Sequence, residues 1–342
     1  MTEITQIDVS DDRQVMVDDG DFLPEIEPVR FVLTLAEGGE RLDKVVARHL
    51  PAYSRSRIQK WIEQGNVTVN GAAAKPKQVM AGVEEVVVIP QLSDEETAFT
   101  PEPVDFPVVY EDDAMLVVDK PAGLVVHPAA GNWHGTLLNG LLHRLPKSAT
   151  VPRAGIVHRL DKDTTGLMVV AKTVEAQTDL VRQLQARTVH RGYFALVWGE
   201  PALDGTVSAP IGRHPKNRIK MAVSTTGGGR HAVTHFQRLA EGSLNGSPVS
   251  LIKCRLETGR THQIRVHMQA IGCPLVGDPL YGKPHLAAVF PRQALHAFRL
   301  GLLHPVRKDP VAWTAPMPVD MAALLETASI SLDEDWYGTD HP

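Results

Sequence analysis

Cysteines are scarce and long apolar runs are absent in this chain of 342 residues. Cys254 and Cys273 are its only cysteines and form no CxxC pair, which argues against a disulfide framework and against a cysteine-ligated zinc site. No segment approaches the ~20 consecutive apolar residues of a membrane helix. Residues 1–20 lack the basic and then apolar layout of a signal peptide. We therefore expect a cytoplasmic protein without membrane association.

Motifs for bound nucleotides and metals are also missing. The chain has no GxxxxGK[ST] loop, no GxGxxG that opens a helix and no nucleophile elbow of a hydrolase. His262 and His267 stand five residues apart rather than four as in an HExxH zinc site, so we expect core or helix-lining histidines. The sequence thus predicts no metal ion and no nucleotide cofactor.

The net charge of −5 conceals blocks of opposite sign. Residues 1–40 hold 2 basic and 11 acidic side chains, whereas residues 41–80 hold 8 and 2. Residues 81–120 hold 1 and 11, and residues 121–342 hold 24 and 16. Two basic domains separated by acidic segments favour a polyanionic partner, although a solvated charged surface is the alternative. The pattern predicts an acidic, disordered tail over 1–30, a basic module over 39–90 and an acidic linker over 91–104.

The basic module predicts two helices on a small sheet. Apolar residues follow the helical repeat from Leu42 to Leu50, Pro51 ends that helix, and Ser54 caps a second one. Two short strands follow, and the first of them runs into an Asn-Gly turn.

The second helix of this module has a basic outer face. With its apolar side chains turned inward, we expect five cations to face outward and to contact a phosphate backbone: Arg55, Arg57, Lys60, Lys75 and Lys77. A solvated helix face is the alternative. The segment RLDKVVARHLPAYSRSRIQKWIEQGNVTVNG resembles an S4 RNA-binding domain, because it joins the helix pair and the VTVNG hairpin in one order.

The larger domain combines many short strands with few helices. Helices are predicted over 174–186 and over 261–271, the second with Thr261 as its N-cap. The absence of a regular βαβ alternation indicates the α+β class for a domain over 105–326, followed by a C-terminal tail over 327–342. Strands are predicted over 115–118, 124–126, 155–157, 167–170 and 193–198.

The densest polar cluster lies in AGIVHRLDKDTTGLMVVAK, where two apolar strands bracket a charged loop. Rigid scaffolds commonly present reactive groups on such loops. Asp161 is the candidate nucleophile or general base, with Arg159 two residues away. A structural turn with solvent-facing charges is the alternative.

Two further elements contribute candidate site residues. In LETGRTHQIRVHM, Arg260 precedes the predicted helix and Arg265 lies about one turn into it, so both could converge on one anion and hold a neighbouring aspartate ionised. Strand alternation places Tyr193 on one face with Ala195 and Val197, where core packing is its ordinary role.

A basic segment over 212–230 carries a run of three glycines. It is predicted either as a flexible loop that grips phosphate or as a plain hairpin. Its candidate RNA-binding residues are Arg213, Lys216, Arg218 and Lys220.

Taken together, these motifs resemble the pseudouridine synthase family that carries HRLD followed by a Thr/Ser-Gly strand. The similarity spans roughly residues 40–325, and its blocks, among them VVHPAAGNWHGTLLNGLLH, PLVGDPLYG and RQALHAFRL, occur in the family's order. The resemblance implies a mixed, mainly antiparallel sheet with flanking helices and the isomerisation of uridine to pseudouridine in RNA. With the S4 segment included, the chain is most similar to the group that modifies a 23S ribosomal RNA stem-loop. It therefore implies 23S rRNA or a large-subunit precursor as the partner of a monomeric enzyme.

The resemblance also assigns roles to individual residues. Asp161 corresponds to the catalytic aspartate, and Arg265 to the basic residue that pairs with it. Arg159 corresponds to the arginine that replaces the flipped base in the stack, and Tyr193 to the tyrosine that stacks on that base and assists its deprotonation. His158 and Arg260 complete the candidate substrate-binding set.

The chemistry is consistent with the missing cofactor motifs. A uridine must leave its stack before the glycosidic bond can be reached. Cleavage of that bond and reattachment through C5 change no oxidation state, so the reaction requires neither a redox cofactor nor a metal. Two alternatives stay open: a synthase of the same fold for another rRNA or tRNA uridine, and a non-catalytic RNA-binding assembly factor.

Overall fold

The computed structural model describes residues 27–91, 97–217, 219–224, 227–283 and 289–338. The chain divides into two compact units, unit 1 over Met1–Ser93 and unit 2 over Asp94–Pro342. Within the described ranges, no helix is both long and apolar enough to cross a membrane. Most of the predicted acidic tail over 1–30 lies outside the described residues.

Unit 1 has the predicted pair of helices on a small sheet. Ser54 caps α2 because its side chain accepts a hydrogen bond from the Arg57 amide. Asn70 and Gly71 both have positive φ (50° and 76°), as a two-residue hairpin turn requires. The antiparallel strand order is β1-β4-β2-β3. The elements are β1 (Val29–Val32), α1 (Leu42–His49), α2 (Arg55–Glu63), β2 (Val67–Val69), β3 (Ala72–Ala73) and β4 (Glu85–Val88).

Two arginines of the predicted basic face of α2 have partners inside unit 1. Arg55 donates through Nε and Nη2 to the carboxylate of Asp43, at 3.1 and 3.0 Å, and Asp43 is fully buried. The guanidinium of Arg57 lies 5.0 Å from the ring of Tyr53 and 5.3 Å from that of Trp61. Arg55 is exposed as predicted, but it also stabilises unit 1, since a buried carboxylate requires its partners. Lys60, Lys75 and Lys77 are exposed as predicted.

Unit 2 is built on a mixed sheet in which nine strands of the described residues take part. The strand order is β5-β6-β7-β14-β8-β13-β12-β9, and β15 pairs with β14. The β14–β7 pair is parallel and the other pairs are antiparallel, which confirms the predicted fold class. The strands are β5 (Val108–Glu111), β6 (Met115–Lys120), β7 (Thr165–Ala171), β8 (His190–Trp198), β9 (Asp204–Ser208), β12 (Val233–Leu244), β13 (Ser247–Leu256), β14 (Leu295–Leu303) and β15 (Pro310–Thr314).

Helices and a small hairpin complete unit 2. The helix predicted over 174–186 is confirmed, whereas the strands predicted over 124–126 and 155–157 are wrong. Gly155 ends a 3₁₀ turn with φ of 81°, and a Cβ there would lie 1.8 Å from the carbonyl oxygen of Ala171. The chain at this point thus passes too close to β7 for a regular strand. The elements are α3 (Leu137–Arg144), α4 (Val174–Ala186), α5 (Gln263–Ala270), α6 (Val319–Thr327) and the hairpin strands β10 (Ile211–Arg213) and β11 (Met221–Val223).

The two faces of the sheet bury different clusters. On β8, Tyr193, Ala195 and Val197 pack into one core, and Phe194 and its alternating neighbours pack into the other. This confirms the predicted alternation along the strand. The first core lies below the charged loop over 158–164, so β8 delivers Tyr193 to the same side of the sheet as that loop.

The described parts of the predicted linker and C-terminal tail pack against unit 2. The Asn139 side chain on α3 donates to the carbonyl oxygens of Ala98 and Thr100, at 3.0 and 2.9 Å. At the other end, the ring of Tyr337 lies 5.2 Å from that of Phe194 and 5.6 Å from that of Phe298. Residues 97–104 and 327–338 thus belong to this unit structurally.

Buried donors hold the charged loop over 158–164, which has neither helix nor strand. Lys120 is fully buried, and its Nζ donates to the carbonyl oxygens of Pro121, Leu124 and Lys162 at 2.8–3.0 Å. Arg292 donates to the carbonyl oxygen of Asp163 at 3.1 Å while it pairs with Asp320 on α6. Buried carbonyls of an irregular loop require such partners, so these side chains fix its path.

We predict that Lys120→Met lowers the free energy of unfolding by about 2–4 kcal/mol, because three carbonyl oxygens, that of Leu124 among them in the interior, lose their donor. Urea unfolding measures the change. The exposed Lys147 supplies the control, since Lys147→Met should alter stability by less than about 0.5 kcal/mol. Equal effects of the two substitutions would contradict the assignment.

Candidate active site

One cavity of unit 2 is lined by all six residues that the sequence predicts as catalytic or substrate-binding. It encloses about 890 Å³ between the loop over 158–164, the start of β8 and residues 256–265. Six arginines and two acidic residues line the cavity: Arg153, Arg159, Arg187, Arg191, Arg260, Arg265, Asp161 and Glu257. This local surplus of positive charge, in a chain of net charge −5, suits an anionic ligand.

Asp161 is held in the cavity by a buried arginine. Arg265 Nη1 donates to Asp161 Oδ2 at 2.9 Å, and the Arg265 side chain is 4% exposed. The same guanidinium donates through Nε and Nη2 to both oxygens of Asp278, at 2.7 and 2.9 Å. Asp278 in turn accepts the backbone amides of Leu280 and Tyr281. One cation therefore bridges two carboxylates, and the buried Asp278 fixes the direction in which Arg265 points.

The electrostatics of this bridge favour a permanently charged arginine. Burial alone would lower the pKa of Arg265, but its hydrogen bonds to Asp278 and the charges of Asp161 and Asp278 raise that pKa above its ordinary value. Burial opposes the charged form of Asp278 as well, and the bonds to Arg265 hold the pKa of that carboxyl below its usual range. The pair thus stays ionised and supplies a fixed charge beside Asp161.

His262 approaches Asp161 from the start of α5. The predicted N-cap Thr261 is wrong: His262 precedes the helix with φ of 57°, in the left-handed region that non-glycine residues rarely adopt. Tyr281 Oη accepts the Met221 amide and forms a 2.8 Å hydrogen bond with His262 Nδ1. This bond orients the ring so that Nε2 faces Asp161 Oδ1 at 3.9 Å. Burial lowers the pKa of His262, which keeps the ring neutral.

Tyr193 lines the cavity from β8 and is 6% exposed. Burial raises the pKa of its hydroxyl, the charge of Arg191 opposes this rise, and the charge of Asp161 adds to it. Tyr193 is therefore a neutral phenol at physiological pH, close to both charges.

The other predicted substrate-binding residues lie in the same cavity but are used differently. Arg159 is exposed at its surface. His158 Nε2 accepts the Val169 amide at 3.1 Å, which ties the loop to β7. Arg260 Nε donates to the His231 carbonyl at 3.1 Å and not to Asp161. The expected convergence of Arg260 and Arg265 on one anion is thus not found, because the partner of Arg260 is a backbone carbonyl.

The basic segment over 212–230 forms the β10–β11 hairpin. Its Lys220 Nζ lies 5.9 Å from the centre of the Tyr281 ring, so this end of the hairpin borders the site. Lys216 and Arg213 are exposed, and Arg218 lies outside the described residues. The assignment of this hairpin to RNA stays a prediction.

Three residues of the site were missed by the sequence analysis: Asp278, Tyr281 and His262 as a neighbour of Asp161. The first two belong to the block PLVGDPLYG, and its acidic and aromatic residues could have marked them as site candidates. Asp278 lies in a turn 13 residues after Arg265, and the periodicity of a local segment cannot predict a contact over that separation. Across the described ranges, no group of three or more His, Cys, Asp or Glu side chains is arranged to hold a metal ion.

Two buried histidines of this region predict a loss of stability in acid. Burial lowers the pKa of His158 to about 3 and that of His296 to about 4, from 6.5. Between these values the unfolded chain binds protons that the native state does not, so the free energy of unfolding falls as the pH drops below about 6.5. Urea unfolding at several pH values measures the slope, which His158→Gln and His296→Asn should each reduce. An unchanged slope in both variants would contradict this origin.

Comparison with known proteins agrees with this geometry. Residues 114–270 match the family model of RNA pseudouridylate synthases, and residues 40–80 match that of the S4 domain. A solved structure, human RNA pseudouridylate synthase domain containing 1, covers 74% of this chain and 99% of its own length, with a TM-score of 0.55 and 27% identity.

Two bacterial relatives are more similar in sequence. The ribosomal large subunit pseudouridine synthase D of Nitrosomonas europaea is 53% identical over 295 residues, which cover 84% of each chain. Its counterpart from Neisseria meningitidis serogroup B is 49% identical over 340 residues, or 93% of this chain and 90% of the relative. The resemblance found in the sequence is thereby confirmed. The chain belongs to the RNA pseudouridylate synthase family and is an S4-containing enzyme of that family.

Proposed function

We propose that this synthase isomerises specific uridines of 23S ribosomal RNA, either in free RNA or in a large-subunit precursor. The observation that carries the proposal is Asp161, fixed by a buried arginine inside a cavity whose wall bears five further arginines. Relatives that are named for the large ribosomal subunit support the choice of RNA. Such a substrate implies a cytoplasmic enzyme. The six predicted catalytic and substrate-binding residues line one cavity of this chain, so the proposed monomer needs no residue of a second copy.

The cavity fits an extruded nucleotide. Ligand sites commonly enclose about 300–1,000 Å³, and the space beside Asp161 falls in this range at about 890 Å³. Extrusion leaves a gap in the RNA stack, and a planar guanidinium can fill it. Arg159 is exposed two residues before Asp161, so we assign this role to it.

Asp161 is the reacting group in this proposal. Its carboxylate either attacks C1′ or C6 or removes the proton from C2′, and each route detaches the base so that it can turn and rejoin through C5. Arg265 and the neutral His262 orient the carboxylate from two sides. The product then loses its C5 proton. As a neutral phenol, Tyr193 can relay that proton: its oxygen accepts the proton from C5 and its hydroxyl proton leaves to water in the cavity. Its ring packs on the base at the same time.

The experiment that tests the function maps pseudouridines in 23S rRNA from cells that lack this protein. We expect specific sites to disappear, to return with the wild-type chain and to stay absent with Asp161→Asn. This variant should retain RNA affinity, because the carboxamide keeps the shape of the side chain, and filter binding of the RNA measures that. Normal turnover by Asp161→Asn would contradict the catalytic assignment.

Other outcomes favour the alternatives. If all 23S sites persist while tRNA or other rRNA sites vanish, the enzyme acts on a different RNA. If every site persists in all RNAs, the chain acts as an assembly factor without catalysis. If Asp161→Asn restores the missing sites, Asp161 is not the reacting group.

Unit 1 is proposed to dock the RNA through exposed lysines. We expect the combined Lys60→Gln, Lys75→Gln and Lys77→Gln variant to weaken binding and to reduce the slope of log affinity against log salt by about 1 per lysine that contacts phosphate. Lys44→Gln is the matched control, because Lys44 pairs with Glu40. Substitution of Arg55 is avoided, since it would expose the buried charge of Asp43. An unchanged slope would exclude this face.

A further inference from the structure

Arg191 is a buried cation without a counter-ion. It lies on β8 two residues before Tyr193 and is 7% exposed. Its Nε is buried without an acceptor, and its guanidinium forms neither an ion pair nor a side-chain hydrogen bond with the residues that the structure describes. Burial of a charged side chain without a partner is unfavourable.

The other buried cations of unit 2 have partners. Arg265 pairs with two carboxylates, Arg292 pairs with Asp320, and Lys120 donates to three carbonyl oxygens. Each of these side chains has a structural role that accounts for its burial. Arg191 has no such partner within the described ranges, so we look for its partner in the substrate.

The surroundings of Arg191 keep its guanidinium open to the cavity. It borders both the main cavity and a smaller cleft of about 230 Å³ beside it. Gly259 lies over it, and a Cβ at this glycine would come within 2.8 Å of Arg191 Nη1. The absence of a side chain at Gly259 therefore leaves room for the guanidinium between β8 and the segment over 257–259.

The distance from Tyr193 indicates which part of the substrate reaches Arg191. Residues two apart on a strand point to the same face and lie about 6.8 Å apart. If the base packs on Tyr193, a group one sugar away from that base reaches Arg191. In RNA this group is the phosphodiester.

We infer that Arg191 binds the phosphodiester next to the flipped uridine; this rests on the proposed function. A phosphate supplies the missing negative charge and two oxygens for the guanidinium fork. A uracil carbonyl is a neutral acceptor and would leave the charge unpaired. Arg191 thus recognises the nucleotide through its backbone, while Tyr193 and Asp161 act on its base and sugar.

Neutral linkages in the RNA test this inference. A 23S stem-loop with one mapped uridine is prepared with a single methylphosphonate on either side of that uridine, and single-turnover pseudouridine formation is measured. We expect one of the two linkages to slow the wild type by about 10- to 100-fold. The same linkage should change the rate of Arg191→Met by less than about 3-fold, because the interaction is already lost.

Two variants provide controls. Arg187→Met removes a half-exposed arginine of the same cavity that pairs with Glu257, and it should keep the wild-type response to the neutral linkage. Gly259→Ala should displace the guanidinium and show the response of Arg191→Met. Urea unfolding adds a readout of structure: Arg191→Met should be as stable as the wild type or more stable, because an unpaired buried charge is removed.

The outcomes separate the inference from the function on which it rests. A wild type that is inactive on the natural stem-loop contradicts the proposed function. In that case, binding of the same RNAs to Asp161→Asn, with and without Arg191→Met, still measures the contact. If activity is normal but Arg191→Met responds to both linkages as the wild type does, the inference is wrong. A marked loss of stability in Arg191→Met would also overturn it, since Arg191 would then be a structural residue.

Discussion

The geometry of the site depends on one buried guanidinium, that of Arg265. It joins Asp161, which is open to the cavity, to Asp278, which is fully buried. Removing one partner of a buried ion pair typically costs about 3–5 kcal/mol, because the remaining charge is left uncompensated. Asp278 cannot move, since two backbone amides also hold it. Because Arg265 is itself fixed by Asp278, its hydrogen bond holds the Asp161 carboxylate in one position at the cavity.

The same constraint explains the unusual start of α5. A left-handed residue such as His262 costs about 1–3 kcal/mol, and such strain persists only where the surroundings impose it. Here the Tyr281 hydroxyl binds the imidazole, and Tyr281 itself follows Asp278 in the turn that anchors Arg265. The strained residue thus places the Nε2 edge of its imidazole 3.9 Å from Asp161 Oδ1. The helix, the turn and the hairpin that donates the Met221 amide form one supporting unit.

Sequence reasoning succeeded where local patterns decide the structure and failed where distant partners do. The boundaries of α4 and the two faces of β8 follow from periodicity, and the charged loop with Asp161 stands out between two apolar segments. The pairing of Arg55 was not predicted, because its partner Asp43 lies 12 residues earlier, on another helix. Asp278 was missed for the same reason. The sequence alone does not show which group a basic side chain pairs with. Only the fold determines whether that side chain binds a buried carboxylate or stays available for a ligand.

Arg265 and Arg191, which both line the cavity, illustrate the difference between a paired basic side chain and one available for a ligand. Arg265 neutralises two carboxylates, and its bond to Asp161 fixes that carboxylate relative to the anchored Asp278. Arg191 neutralises no described group, and its Nε is buried without an acceptor, which is unfavourable in the free protein. Such a cost is tolerable at a binding site, because the ligand recovers it when the missing charge arrives. A cavity lined by six arginines and two acidic residues can therefore remain specific for RNA in a chain that is acidic as a whole. Six arginines are concentrated in this cavity, whereas 13 of the 40 acidic residues of the chain lie in the segments 1–30 and 91–104.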